Sequence, residues 1–302
     1  MTGVARLRAA GPDEADAVQA VWESSNAEDD PASWSRGGWS VIGWATHTRV
    51  LEVDHRVVGV VAVRAEPAPD QAMPARVALD ISTRQPRLAQ KLVRGAVELI
   101  REAGGVRVRL FVPSRAEWTQ TAARAAGFGP VRMIAHMLLP ASAPTPQAGP
   151  VAGLHLRPIR PGEDRRVLAA LNRNWAGTWN FVSIPYEMLK EDLEGQREGM
   201  LLGLDDADQI IATCHAVYAP SGQNPDGNPR AWISNLTVDP GHRERGIARF
   251  MLAAGIAHLR ERGASSITLG VDANNPAPFR LYQSVGFQIS TSTEAWDKEL
   301  TV

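Results

Sequence analysis

The sequence predicts an α/β protein made of two copies of one fold, and three observations carry that reading. Residues 84–128 align with residues 243–287 without a gap, at a constant offset of 159 positions. A proline-rich stretch near mid-chain separates the copies. Segments of alternating apolar residues, the period of a strand, are interleaved with segments of helical period.

Each copy opens in the same way. A short strand and a proline-containing turn lead into a helix, at 4–8, Pro12 and 13–21 in the first copy and at 154–157, Pro161 and 163–171 in the second. A pair of strands follows, 50–53 with 57–64 and 200–204 with 210–218. Between the copies, Pro140, Pro144, Pro146 and Pro150 stand among small residues, which suits a semi-extended spacer rather than a helix or an inner strand. The expected division is therefore 1–140, a linker at 141–150, and 151–302. Identities kept in register include Asp80/Asp239, Arg84/Arg243, Ala89/Ala248, Gly104/Gly263, Leu110/Leu269 and the pair Gly127-Phe128/Gly286-Phe287. A repeat of this length means two copies of a domain, not a solenoid.

Composition excludes several classes. A chain of 302 residues, 44% hydrophobic and 22% charged, is that of a globular protein with room for two cores. A formal net charge of −1 gives no reason to expect a nucleic-acid partner. One cysteine, Cys214, rules out an internal disulfide and suits a reducing compartment, so the cytoplasm is expected. No apolar stretch has the length of a membrane span. The histidines lack paired ligand spacing, so no metal is expected.

The second copy carries the chemistry. Residues 235–248 read as a strand, a basic turn and the first turn of a helix, with Gly246 and Ala248 where bulk would otherwise stand. A helix start leaves backbone N–H groups unpaired, and its dipole favours negative charge, so this turn is a seat for a phosphate or pyrophosphate. Helical period continues through Met251, Leu252, Gly255, Ile256 and Leu259 to a stop at Gly263. A strand at 266–271 follows. Then comes Asn274-Asn275-Pro276-Ala277-Pro278-Phe279-Arg280-Leu281-Tyr282-Gln283-Ser284-Val285-Gly286-Phe287.

The spacing Arg243-x-x-Gly246-x-Ala248 resembles the coenzyme A pyrophosphate signature of the GCN5-related N-acetyltransferase (GNAT) superfamily. The segment from Asn275 to Phe287 resembles that family's second signature. The resemblance implies two tandem GNAT folds, each a mixed, mostly antiparallel sheet flanked by helices. It further implies acyl transfer, most simply acetyl from acetyl-CoA, to a primary amine of a small molecule by direct attack in a ternary complex, in a monomer or homodimer. In that fold the cofactor lies between splayed fourth and fifth strands. Carried onto this chain, Leu236 and Val238 are its backbone partners, with the Val238 N–H polarising the thioester carbonyl. His242, Arg243, Glu244, Arg245, Gly246, Ile247 and Ala248 form the anion turn. Asn275 orients cofactor or caps its helix. Tyr282 is the expected proton donor to the leaving thiolate.

The general base stays open. Many relatives place an acid just before the Leu, where this chain has Asn235. His215, Asp272 and Glu294 are the candidates. Trp175, Trp179 and Phe181 either line an acceptor pocket or belong to the core, and Trp34, Trp39 and Trp44 are expected as loop packing. In the first copy Arg87 replaces Gly246, Pro86 precedes it without an N–H, and Ala116 and Ala123 replace Asn275 and Tyr282, so that copy reads as degenerate. A non-catalytic acyl-CoA sensor and a protein-modifying acetyltransferase are the alternatives.

Overall fold

A computed structural model describes residues 4–29, 47–64, 67–68 and 70–300. Trp34, Trp39 and Trp44 lie outside the described residues. The chain forms two compact units, residues 1–134 with 291–302, and residues 135–290.

The first unit contains β1 (Arg6–Ala9), α1 (Ala15–Asp29), β2 (Thr48–Val53), β3 (Arg56–Val63), β4 (Ala72–Leu79), α2 (Pro86–Glu102), β5 (Arg107–Pro113) and α3 (Glu117–Ala125). Its strands lie in the order β1-β2-β3-β4-β5, all antiparallel neighbours except the parallel pair β4–β5. The core gathers Leu51, Val61, Leu79, Leu92, Val93, Ile100 and Leu110 between the sheet and α2. That helix presents an apolar stripe at 88, 89, 92, 93, 96, 97 and 100, the spacing that buries one face.

The second unit repeats the plan. It has β7 (His155–Pro158), α4 (Asp164–Trp175), α5 (Tyr186–Leu193), β8 (Met200–Leu204), β9 (Ile210–Gln223), β10 (Pro229–Val238), α6 (Ile247–Glu261), β11 (Ile267–Asp272) and α7 (Pro276–Val285). Strand order is β7-β8-β9-β10-β11, again antiparallel except for β10–β11. One face carries α6, whose Met251, Leu252 and Ile256 pack with Cys214, Ala216 and Ile233. Gly255 permits that approach, because a Cβ there would stand 2.6 Å from Cys214 Sγ. The other face is covered by α4 and α5, with Val167, Leu171, Leu189 and Leu193 over Met200, Leu202 and Leu204.

Two further strands bracket this plan, β6 (Gly129–Leu139) and β12 (Gln288–Glu299). The chain's last strand pairs antiparallel with β5, from Thr293↔Pro113 to Glu299↔Arg107, and thus completes the first unit's sheet. Buried Arg109 of β5 fixes this pairing, with Nε donating to Asp297 Oδ1 at 2.9 Å and Nη2 to Asp297 Oδ2 at 2.7 Å. The proline-rich segment consequently does not divide the units as its composition suggests. It belongs to the second unit, where the Pro140 carbonyl accepts from Arg260 Nη2 at 3.3 Å.

The internal repeat read from the sequence is visible in side-chain detail. Arg8 donates from both terminal nitrogens to Glu14, which also accepts from the Gly11 N–H at 2.7 Å. Arg157 does the same with Glu163, which accepts from the Arg160 N–H at 2.9 Å. Both carboxyls are held down to about 2, first by the arginine that each one bonds.

Candidate functional site

The site begins with a sheet that opens. β10 and β11 pair in parallel at the single register Trp232↔Thr268. Beyond it β10 keeps β9 as its neighbour down to Val238↔Ala212. The Asp239 N–H donates to the Ile211 carbonyl at 2.7 Å. Successive N–H groups of a strand alternate in direction, so the Val238 N–H faces away from β9, toward the opened side.

Within β10 the register against β9 shifts between Ser234 and Thr237, and Asn235 sits there at φ +49°. This is a β-bulge, which bends a strand and increases its twist. Asn is among the residues that tolerate the left-handed region.

At the end of β10 the chain turns through a short 3-10 segment, Pro240–His242, capped by Asp239 Oδ1 on the Gly241 N–H at 3.0 Å. Two left-handed residues follow, Glu244 at φ +63° and Gly246 at φ +80°, and Gly246 is the N-cap of α6. Among the described residues, a Cβ added to Gly246 would meet no atom beyond its chain neighbours within 4 Å. The glycine is therefore set by backbone conformation and not by crowding at its Cβ position. That combination fits the diphosphate of a nucleotide thioester, approached by main chain at a helix start.

The predicted turn residues divide by role. Ile247 is buried in the core and offers only its N–H, whereas Arg245 and Gly246 are exposed. His242 turns toward Asp239, with Nδ1 at 3.3 Å from Oδ1. Arg243 reaches backward, Nε to the Val238 carbonyl at 3.2 Å and Nη2 to the Asn174 carbonyl at 3.1 Å. It staples the turn to β10 and α4.

Tyr282 of α7 is buried against the same core, edge-on to Phe287 with ring centroids 6.0 Å apart. Burial pushes its phenol well above the ordinary value, so it keeps its proton at neutral pH. Asn275 occupies the N-cap of α7, but its side chain makes no capping bond, so it does not cap as expected.

The base candidates do not converge. Asp272 accepts from the Asn274 N–H at 3.0 Å and starts the turn into α7. His215 is buried to 1% exposure, and its Nε2 has no hydrogen-bond partner among the described residues. Burial lowers its pKa to about 4, against a hydrogen bond to the Gln196 backbone that raises it. Glu294 belongs to the first unit, where its Oε2 accepts from Trp296 Nε1 at 2.9 Å. Trp175 packs against the α4–α5 core, while Trp179 and Phe181 are half-buried in the loop that follows α4.

Against this geometry, residues 165–287 match the model of the Acetyltransferase (GNAT) family. Residues 165–287 are a GNAT domain. The match lies inside the second unit, the one with the opened sheet and the glycine turn. The curated relatives of this chain include mycothiol acetyltransferases. That of Thermobispora bispora is 31% identical over 62% of this chain and 64% of its own length. That of Acidothermus cellulolyticus is 30% identical over 64% and 62%. The chain thus spans somewhat less than two thirds of these relatives. Among solved structures, a GCN5-related N-acetyltransferase from Sphaerobacter thermophilus superposes with a TM-score of 0.70 at 19% identity, covering 98% of this chain and 95% of its own. A tandem GNAT protein from the clavulanic acid biosynthesis pathway gives 0.69 at 16% identity, covering 98% of each chain. At such identities these two establish the fold: mixed, mostly antiparallel sheets flanked by helices, as the sequence predicted.

One part of the site escaped the sequence reading. Thr213, Thr237 and Asn174 form a buried polar chain beneath the bulge. As β-branched residues in apolar strands, the two threonines carry no signal beyond strand preference. Asn235 inside a strand was the one visible hint.

Proposed function

We propose that this chain is an acetyl-CoA-dependent N-acetyltransferase whose second unit binds the acyl donor and acetylates the primary amine of a small molecule. The observation that supports it most is the pairing of an opened β10 edge with the glycine turn of α6. Leu236 and Val238 offer main-chain groups along that edge, and the amides of residues 246–248 hold the diphosphate. Acetyl-CoA supplies the activated acyl group.

Tyr282 holds a proton at its Oη for a departing thiolate. A phenol is ordinarily about 1.5 pKa units weaker as an acid than a thiol, a small uphill step. Burial raises both groups. Nearby in the same core, the Cys214 thiol is pushed up to about 12 by burial alone. A desolvated thiolate beside Tyr282 is raised in the same sense, which keeps the transfer close to matched.

Among the described residues no candidate base converges on the site, which favours an acceptor of low pKa. At about 4, His215 is a far weaker base than an α-amino group or an alkyl amine. An α-amino group near ~8 loses only about 1 kcal/mol by being deprotonated at pH 7, whereas an alkyl ammonium near ~10.4 loses about 4–5 kcal/mol. A cysteinyl α-amine, the acceptor class suggested by the relatives named mycothiol acetyltransferases, fits that limit. Thiol release from acetyl-CoA with a panel of amines tests the reading. The expected result is turnover with α-amino acceptors well above that with alkyl amines. Tight acetyl-CoA binding with no turnover on any amine would favour the sensor alternative.

A further inference from the structure

The bulge in β10 has a discernible support. Thr213 Oγ1 donates to the Asn235 carbonyl at 2.8 Å. A hydroxyl has one proton, so in the 2.8 Å contact between Thr213 Oγ1 and Thr237 Oγ1 the donor is Thr237. Thr237 Oγ1 then accepts from Asn174 Nδ2 at 2.9 Å. The order is fixed: Asn174 to Thr237 to Thr213 to the carbonyl of the left-handed residue. Asn174 is 2% exposed, Thr237 5% and Thr213 0%, so water does not compete for these bonds. In such surroundings a broken link leaves a buried polar group unsatisfied.

The first unit supplies the control. Ala78 stands at the Thr237 position of the repeat and pairs with Val60, as Thr237 pairs with Thr213. Ser25 stands at the Asn174 position, since its carbonyl accepts from Arg84 Nη2 at 3.1 Å just as that of Asn174 accepts from Arg243. There β3 and β4 run in unbroken register from Gly59↔Leu79 to Val63↔Ala75. The neighbouring parallel pair persists through four positions, 72 to 75, instead of one. The copy without the polar chain has neither the bulge nor the wide opening.

We propose that Asn174, Thr237 and Thr213 are positioning residues, whose one-way hydrogen-bond chain sets the Asn235 carbonyl, holds the bulge and aims the Leu236 and Val238 backbone at the acyl donor. This rests on β10 being the donor-binding strand. Thr213→Val removes the last donor while keeping side-chain shape, and Val is the residue borne at this place in the regular strand of the first unit, so the variant should fold. The expected effect in calorimetric titration is an acetyl-CoA Kd weakened about tenfold, with the amine KM unchanged. Thr213→Ser keeps the hydroxyl and should return Kd to within about threefold of wild type. Thr237→Val, which leaves Thr213 on the carbonyl, should fall between them and serves in place of Thr213→Val if that protein does not fold. Wild-type binding of acetyl-CoA with both valine variants unchanged would overturn this inference alone. No binding by the wild type would overturn the donor-site reading as well.

Discussion

The two units share a frame and part company at a few positions, and those positions separate scaffold from site. Arg84 and Arg243 occupy the same place in the repeat, and both send Nη2 to a helix carbonyl. An arginine that keeps its contact in the copy without the glycine turn is holding the fold, even though it fills a signature position. Gly246 is the reverse case. Its counterpart Arg87 lies in the first turn of α2, behind an extended Gln85 and Pro86, and is held by Gln85 Oε1 at 3.0 Å. One helix start has a left-handed cap, the other an extended one followed by proline.

The opened edge differs in the same direction. In the first unit the Leu79 N–H, counterpart of the Val238 N–H, is met by Ser25 Oγ at 3.4 Å, and Arg76 lies over the Phe111 ring at 5.8 Å, tying β4 to β5. The second unit has Asn235 and Gly270 at those last two positions, and Asn174 sends its amide to Thr237 instead.

Copying the first unit into the second should break the site in graded steps. Gly246→Arg has the largest expected effect. A side chain at φ +80° costs about 1–2 kcal/mol in backbone strain alone and also fills the anion seat, so acetyl-CoA affinity should fall more than about a hundredfold by calorimetry. Affinity within a few-fold of wild type would contradict the site. Next comes Tyr282→Phe, which moves toward the Ala123 of the first unit: kcat should drop more than about tenfold while the donor Kd stays put. A shift in Kd with kcat preserved would make Tyr282 a packing residue.

Acid should distinguish the units too. The His215 pKa is lowered from 6.5 to about 4, so its contribution is complete above pH 6.5 and is lost as pH falls toward 4. The loss is roughly 3 kcal/mol across that window, borne by the second unit. Urea denaturation of wild type and His215→Gln should therefore diverge at neutral pH and converge near pH 4; parallel curves would exclude it. The smallest effect concerns the paired arginines. Arg84→Ala and Arg243→Ala should each lower the melting temperature by a similar few degrees, about 2–4 °C per kcal/mol, and Arg243→Ala should weaken donor binding less than about tenfold. Loss of binding by Arg243→Ala alone would make it a ligand of the phosphate.

Much of this was legible in the chain. The offset repeat, the glycine turn and the helix after it depend on local pattern, and each falls where the pattern puts it. What the pattern could not supply is long-range. Thr213 and Thr237 meet across two strands, Asn174 joins them from a helix 63 residues earlier, and Asp297 reaches Arg109 across 188 residues to close the first sheet. Trp175 shows the other limit, since an aromatic near a binding loop and an aromatic in a core look alike until packing is seen.

Amide hydrogen exchange with and without acetyl-CoA tests the central claim most directly, because both units report in one experiment. Protection is expected across 236–248, at the β10 edge and the α6 start, with the matching stretch 77–89 unchanged. Protection at 77–89, or none in either stretch at saturating acetyl-CoA, would contradict it.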